Sequence, residues 1–381
     1  MTFLGLLRSN VTRNKRRTIL TFLSVAVALF LFVTLRTIIT SMRAAVEFAD
    51  VHRLVVRNAT GVIFPLPMAY RDRLAAMEGV TKVTWANWFG GVYLDERNFF
   101  ARYGVDADTY FDMYPEYRVD PEQLATWKRE RNACIVGEGI ANQYGWKLGD
   151  TVTLQGTIYP GKWDFVIRGI YRGADDTTDE RQFFFQWKYL DEMAGIESGT
   201  VGIYVVEVRD AALVPKISQT IDAMFANSAH ETRTETEKAF QLGFISMLGN
   251  VQFAVNLIGV TVVIAIMLVA MNTMMMAARE RLAELAIMKI LGFPDGTVAA
   301  LVICEAMLVA LVGGALGCLG ARLIFQQTDF TAGGFFPSFL VRGTTIAQGL
   351  IVSCALGVLS AAYPAYQAAR LREVEALRHL S

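Results

Sequence analysis

Hydrophobic and polar positions divide this 381-residue chain into long apolar runs and one mixed stretch. Between Ile19 and Ile39, 14 of 21 positions are Leu, Ile, Val or Phe. Each favours insertion by about 0.3–0.6 kcal/mol, against a cost of about 2.5–3.5 kcal/mol for one central Arg. Arg36 stands near the far end, where it can snorkel, so the pattern predicts a first membrane span. The competing reading is a cleaved signal peptide, with an apolar core of about 7–15 residues and a small-residue cleavage site. This run is longer and leads into Ser41-Met42-Arg43. The 40 residues between Lys238 and Arg279 carry no charge. At about 1.5 Å per residue they span about 60 Å as one helix, twice a hydrocarbon core of roughly 30 Å. Gln241, Asn250, Gln252 and Asn256 gather in the first half, and Asn272 stands alone in the second. The first half therefore projects from the bilayer as a stalk, on the side of the mixed stretch. Thr297 to Ala321, interrupted by Glu305, predicts a third span, and Gly343 to Ala369 a fourth.

The mixed stretch from about Arg43 to Lys238 reads as strands at Leu54–Val56, Val80–Trp85, Gly91–Leu94, Thr151–Gln155, Phe165–Tyr171, Phe183–Phe185 and Gly202–Val208. Helices are predicted at Met68–Met77, Pro121–Arg131 and Ala212–Phe225. The expected fold is a membrane protein with four transmembrane helices and a large α+β extracytoplasmic domain inserted between helices 1 and 2. Its expected parts are a basic amino terminus with the first helix (1–42), the α+β domain (43–238), a stalk with the second helix (239–278) and a short charged amphipathic segment (279–293). They continue as a third helix (297–321), a short external loop (322–342), a fourth helix (343–369) and a tail (370–381).

Charge orients this plan. The first 18 residues hold Arg8, Arg13, Lys15, Arg16 and Arg17 without an acid, and basic residues recur at Arg279 and in the tail at Arg370, Arg372 and Arg378. An even number of spans puts all three on one side. The positive-inside rule makes that side the cytoplasm and the large domain external. The sum of 36 basic and 36 acidic residues argues against a nucleic-acid partner, which needs a basic face. Cys134, Cys304, Cys318 and Cys354 are too few and too dispersed for a disulfide framework.

The run Arg279 to Phe293 lies between the second and third spans. On a helix, Glu280, Arg281 and Glu284 fall on one side; Leu282, Ala283, Leu285, Ala286, Ile287 and Ile290 cover most of the other, and Arg279 and Lys289 break the pattern. Gly292 followed by Pro294 is a helix stop. The plain alternative is a charged loop. Glu305 is an intramembrane acid, either serving an ion or proton pathway or reaching the interface to pair with a basic group. Gly349, Ser353, Gly357 and Ala361 recur every four residues, as do Gly313 and Gly317. Such small residues let backbones approach, across a dimer interface or within one chain.

Motifs for chemistry are missing. No Gly-x-x-x-x-Gly-Lys-Ser/Thr, His-Glu-x-x-His or Gly-x-Ser-x-Gly occurs. Gly137-Glu138-Gly139 carries Asn142 where a dinucleotide fingerprint needs its third glycine. Asp175, Asp176, Asp179 and Glu180 lack the spacing of a calcium loop. No catalytic residue or metal ligand is assigned, and the chain is expected not to be an enzyme.

Four separated stretches together resemble the MacB/FtsX family of ABC transporter permeases, which includes the LolC/LolE lipoprotein-release subunits. They are Arg13-Asn14-Lys15-Arg16-Arg17-Thr18-Ile19; Ile135-Val136-Gly137-Glu138-Gly139-Ile140-Ala141 with Gly145 and Leu148-Gly149-Asp150-Thr151-Val152; the Arg279 to Gly292 segment; and Tyr363-Pro364-Ala365 with Ala368-Ala369-Arg370-Leu371 and Val374-Glu375-Ala376-Leu377-Arg378. Glu373 replaces the proline usual in the last. The resemblance implies a dimer, of identical or related permeases, in the cytoplasmic (inner) membrane. It implies a separate ATPase subunit that binds ATP and Mg, with no cofactor in this chain. The coupling set is then Arg279, Glu280, Arg281, Glu284, Leu285, Met288, Lys289 and Gly292. Membrane lipids and a periplasmic adaptor are further expected partners. Three functions fit: export or extrusion of a periplasmic or outer-leaflet substrate, FtsX-like control of an external cell-wall hydrolase, and LolC/LolE-like lipoprotein release. An unrelated four-span receptor is the remaining alternative.

Overall fold

The computed structural model describes residues 15–47, 50–96, 98–175, 178–193, 195, 198–247, 251–280, 282–327, 339 and 341–370. Arg8, Arg13, Asp176, Arg281, most of the expected 322–342 loop and the tail beyond Arg370 lie outside them.

The first apolar run forms one helix, α1 (Lys15–Glu47). Then come β1 (Arg53–Asn58), β2 (Leu66–Pro67), α2 (Tyr70–Ala75), β3 (Val80–Trp88), β4 (Gly91–Val92), β5 (Ala101–Val105), α3 (Tyr110–Met113), β6 (Tyr117–Arg118), α4 (Pro121–Arg129), β7 (Ala133–Gly137) and α5 (Glu138–Tyr144). The unit continues through β8 (Thr151–Gly156), β9 (Gly161–Gly173), β10 (Gln182–Gln186), α6 (Trp187–Met193), β11 (Thr200–Val201), β12 (Ile203–Val208), α7 (Val214–Phe225), β13 (Thr232–Thr236) and α8 (Glu237–Met247). Four further helices follow: α9 (Val251–Glu280), α10 (Leu282–Ile290), α11 (Asp295–Gln327) and α12 (Gly343–Ala369).

The α+β unit is built on a mixed sheet in the order β13-β1-β12-β3-β5-β10-β7-β9-β8-β4, with β6 beside β9. Most pairs are antiparallel, but β5 with β10 and β7 with β9 are parallel. Near the middle both faces are covered: Phe183 and Phe185 join Cys134, Val136 and Trp163 on one side, while Phe184 and Ile135 join Tyr110, Phe111 and Trp127 on the other. A third cluster packs Leu54, Trp85, Tyr204 and Val206 against Ile217, Ile221 and Phe225 of α7. Local signals fix several ends. Pro121 opens α4 while the Asp120 carboxylate accepts from the amides of Glu122 (2.9 Å) and Gln123 (3.3 Å).

All seven predicted strands and three predicted helices have counterparts here, with shifted ends. The Gly91–Leu94 strand closes after Val92, and Leu94 turns at φ 59°. Of the uncharged stretch expected to be one helix, the described residues are helical up to Met247 in α8 and from Val251 in α9, and residues 248–250 lie outside them.

In the membrane unit four helices are long and apolar enough to cross a bilayer, at Thr18–Ser41, Gln252–Glu280, Asp295–Gln326 and Gly343–Ala369. The expected α+β insertion between the first and second is therefore present. The small residues serve contacts within this one chain. A Cβ at Gly317 would stand 2.3 Å from the Ala26 carbonyl oxygen, and one at Gly313 3.0 Å from that of Phe22. Cβ atoms at Gly349 and Gly357 would meet Cys318 Sγ at 2.7 Å and the Met307 Cα at 2.9 Å. Ser353 Oγ donates to the Ala310 carbonyl at 2.6 Å. These positions let α1 and α12 lie against α11.

Candidate functional site

Three stretches far apart in sequence meet around α10. Leu285, 5% exposed, packs with Val298 and Leu301 of α11 and with Ala368 of the closing Ala368-Ala369-Arg370 motif. Met288 lies against the same cluster. The Lys289 ammonium donates to the Ala369 carbonyl at the end of α12 and pairs with Asp295 at 2.8 Å in the first turn of α11. A cation at a helix carboxyl end and an acid at an amino end both suit the helix dipoles.

The end of α10 is a Schellman stop. Gly292 adopts φ +88°, its amide bonds the Lys289 carbonyl at 2.9 Å, and the Phe293 amide bonds that of Met288 at 3.1 Å. Pro294 follows, and the Thr297 amide reaches its carbonyl at 2.9 Å as α11 begins. The chain thus leaves one helix and starts the next within a few residues.

What α10 exposes differs from the simple two-sided reading. Ile287 (46%), Ile290 (51%) and Leu291 (72%) are exposed, although Ile287 and Ile290 were expected to share the covered face with Leu285. Lys289, which seemed to interrupt that face, is on the covered side with its side chain only 9% exposed. Arg279, Glu280, Glu284 and Gly292 are exposed; Arg281 lies outside the described residues. Of the coupling set, Leu285 and Lys289 therefore brace α10, while Ile287, Ile290 and Leu291, absent from that set, form its open surface. Their spacing was legible; what covers them was not. Glu305 lines a crevice of about 20 Å³ with Met274, Ala277, Leu285 and Leu301, room for about one water, and it is engaged within the chain.

The α+β unit holds a charged cluster that the sequence did not signal. Arg53, 6% exposed, donates Nη1–H to Glu116 at 2.7 Å, with Glu237 at 3.6 Å and Asp50 at 3.8 Å from its Nε. Its guanidinium lies 4.5 Å from the Tyr114 ring centre. Burial works against the Arg53 charge, but the Glu116 hydrogen bond and the Glu237 charge outweigh it and hold its pKa above the ordinary value. Burial pushes the Glu237 carboxyl up, with Arg53 pulling the other way. Glu237 is also the first residue of α8, so the cluster fixes the start of that helix.

The partial nucleotide fingerprint has a packing cause. A Cβ at Gly137 would fall 2.0 Å from the Glu180 carbonyl oxygen, and one at Gly139 3.0 Å from it. The suspected cation loop is turned on itself. Asp179 accepts the Arg181 amide at 2.9 Å and the Gln182 side chain at 3.2 Å, and Glu180 accepts the Gly173 amide at 2.7 Å.

Comparison with known proteins matches residues 18–224 to the MacB-like periplasmic core domain and residues 256–372 to the FtsX-like permease C-terminal family. An uncharacterized ABC transporter permease of Methanocaldococcus jannaschii is 24% identical over 316 residues, 79% of this chain and 77% of that protein. The macrolide export ATP-binding/permease protein MacB of Shigella boydii is 34% identical over 149 residues, 39% of this chain but only 21% of MacB. That of Shewanella oneidensis is 38% identical over 110 residues, 28% of this chain and 16% of MacB. Among solved structures, the periplasmic region of MacB from Actinobacillus actinomycetemcomitans aligns with a TM-score of 0.38 at 12% identity, covering 52% of this chain and 95% of that one. The first family match alone takes in more than half of the chain, and the second follows it in order: the chain belongs to the MacB/FtsX family of ABC transporter permeases.

Proposed function

We propose that this chain is the non-catalytic permease subunit of an ABC transporter, working as a dimer in the cytoplasmic membrane with the α+β unit outside and both chain ends inside. A separate ATPase subunit binds ATP and Mg and docks on α10. ATP-driven closure of that partner moves α10, and the movement passes along the spans to the external unit, which expels a periplasmic or outer-leaflet substrate, with an adaptor receiving it. These 381 residues contain no phosphate-cradling Gly-x-x-x-x-Gly-Lys-Ser/Thr motif, in keeping with a reading in which the ATPase subunit binds the nucleotide.

The observation that carries this reading is the open surface of α10. Ile287, Ile290 and Leu291 stand exposed beside Glu284 on a helix that Leu285 and Lys289 hold against α11 and α12. An exposed apolar patch on a braced element is what a protein partner needs. In the full-length chain, Ile287→Asp with Leu291→Asp should remove the ATPase subunit from complexes purified out of native membranes in mild detergent. Membrane insertion and thermal stability of the permease should not change. Full retention of the ATPase subunit by the double variant would overturn the assignment.

A further inference from the structure

We propose that a groove among α1, α9 and α12 holds an anionic phospholipid, with its phosphate against Arg36 and an acyl chain along Phe32, Gly259 and Val352. The groove encloses about 330 Å³, within the range of about 300–1,000 Å³ typical of small-molecule sites. Its lining is apolar except for Arg36, Asn256 and Gln348. Those three share one level. Arg36 lies five residues before the span end at Ser41, Asn256 four after Gln252, and Gln348 five after Gly343. At about 1.5 Å per residue each is roughly 6–8 Å along its helix from that end.

The charge there is incompletely answered. Arg36 Nε and Nη2 both donate to the single Gln348 Oε1, at 3.2 and 3.0 Å. A guanidinium has five N–H donors, and among the described residues no carboxylate pairs with Arg36. An arginine at this depth is costly unless an anion or water meets it, and its planar fork matches a phosphate. The deeper wall has room beside the charge: a Cβ at Gly259 would find only Leu35 Cδ1, at 3.9 Å. This site does not depend on the transport reading.

The test uses the full-length chain in nanodiscs of phosphatidylcholine with a minority of phosphatidylglycerol, released into mild detergent for native mass spectrometry. The unaltered chain should retain phosphatidylglycerol in preference to phosphatidylcholine. Arg36→Gln should lower that occupancy about tenfold, the loss of one charge-assisted contact, and Arg36→Lys should restore part of it. Gly259→Leu, which fills the groove and leaves the charge in place, should lower it too and carries the test if Arg36→Gln does not fold. Equal retention by the parent chain and both groove variants, or of both lipids, overturns the proposal. So does a non-lipid amphiphile in the groove of protein taken from native membranes, or cross-linking of Ile351→Cys between two copies, which would make the groove a contact between chains.

Discussion

The two units of this chain solve the problem of close packing with opposite residues. In the α+β unit the interior is filled by large rings: Phe184 is fully buried and its ring centre lies 5.2–5.7 Å from those of Tyr110, Phe111, Tyr117 and Tyr171. In the membrane unit the contacts between spans centre on Gly313, Gly317, Gly349 and Ser353. The difference follows from the solvent. Water drives large apolar side chains together, whereas lipid tails are as apolar as leucine and reward only intimate backbone contact and hydrogen bonds. A bulky residue is thus an asset in one unit and an obstacle in the other.

The tryptophans make this contrast measurable, because all six lie between Trp85 and Trp187 and their fluorescence reports the α+β unit alone. The largest effect is expected for Gly317→Leu. Its side chain would start 2.3 Å from the Ala26 carbonyl oxygen, so α1 must move away and the variant should lose its compact form on size exclusion. Tryptophan emission should stay normal. Gly320→Leu is the control, since nothing lies within 4 Å of that position; equal behaviour of the two would break the comparison. Next comes Phe184→Ala, expected to cost about 3–5 kcal/mol, read as a lower urea midpoint of tryptophan emission. A cost under about 1 kcal/mol would show a core that collapses freely around the loss.

The smallest effect concerns Glu237. A carboxyl whose folded pKa is raised takes up a proton on folding. Its contribution to stability therefore increases as pH falls through the folded pKa and levels off below its ordinary value of 4.5. Glu237→Gln should remove this acid-side gain, flattening the pH dependence of the tryptophan-monitored midpoint on its acid side. An unchanged pH profile would mean that the pull of Arg53 cancels the push of burial, leaving Glu237 to titrate alike in the folded and unfolded chain.

How much could be read from the residues alone depended on the same solvent difference. The spans were legible because hydrocarbon demands about 20 apolar residues in a row. Strands with one wet face, such as β8 with its alternating burial, announced themselves by period. β7 did not. Ala133-Cys134-Ile135-Val136-Gly137 is covered on both faces, so it has no alternation to read. β13 was hidden for the opposite reason: Thr-Arg-Thr-Glu-Thr looks like a polar loop, and only pairing with β1 makes it a strand. At α10 the existence of an apolar face and its stop at Gly292 were both visible. Which apolar residues the chain itself would cover was not, because that depends on where α11 and α12 arrive.

The Lys289 anchorage has a mechanical corollary. One ammonium is moored to the final carbonyl of α12 and to the opening acid of α11. Displacing α10 relative to either span would break one of these two contacts. A load applied there is thus handed to two spans in concert, as a yoke hands one pull to a pair.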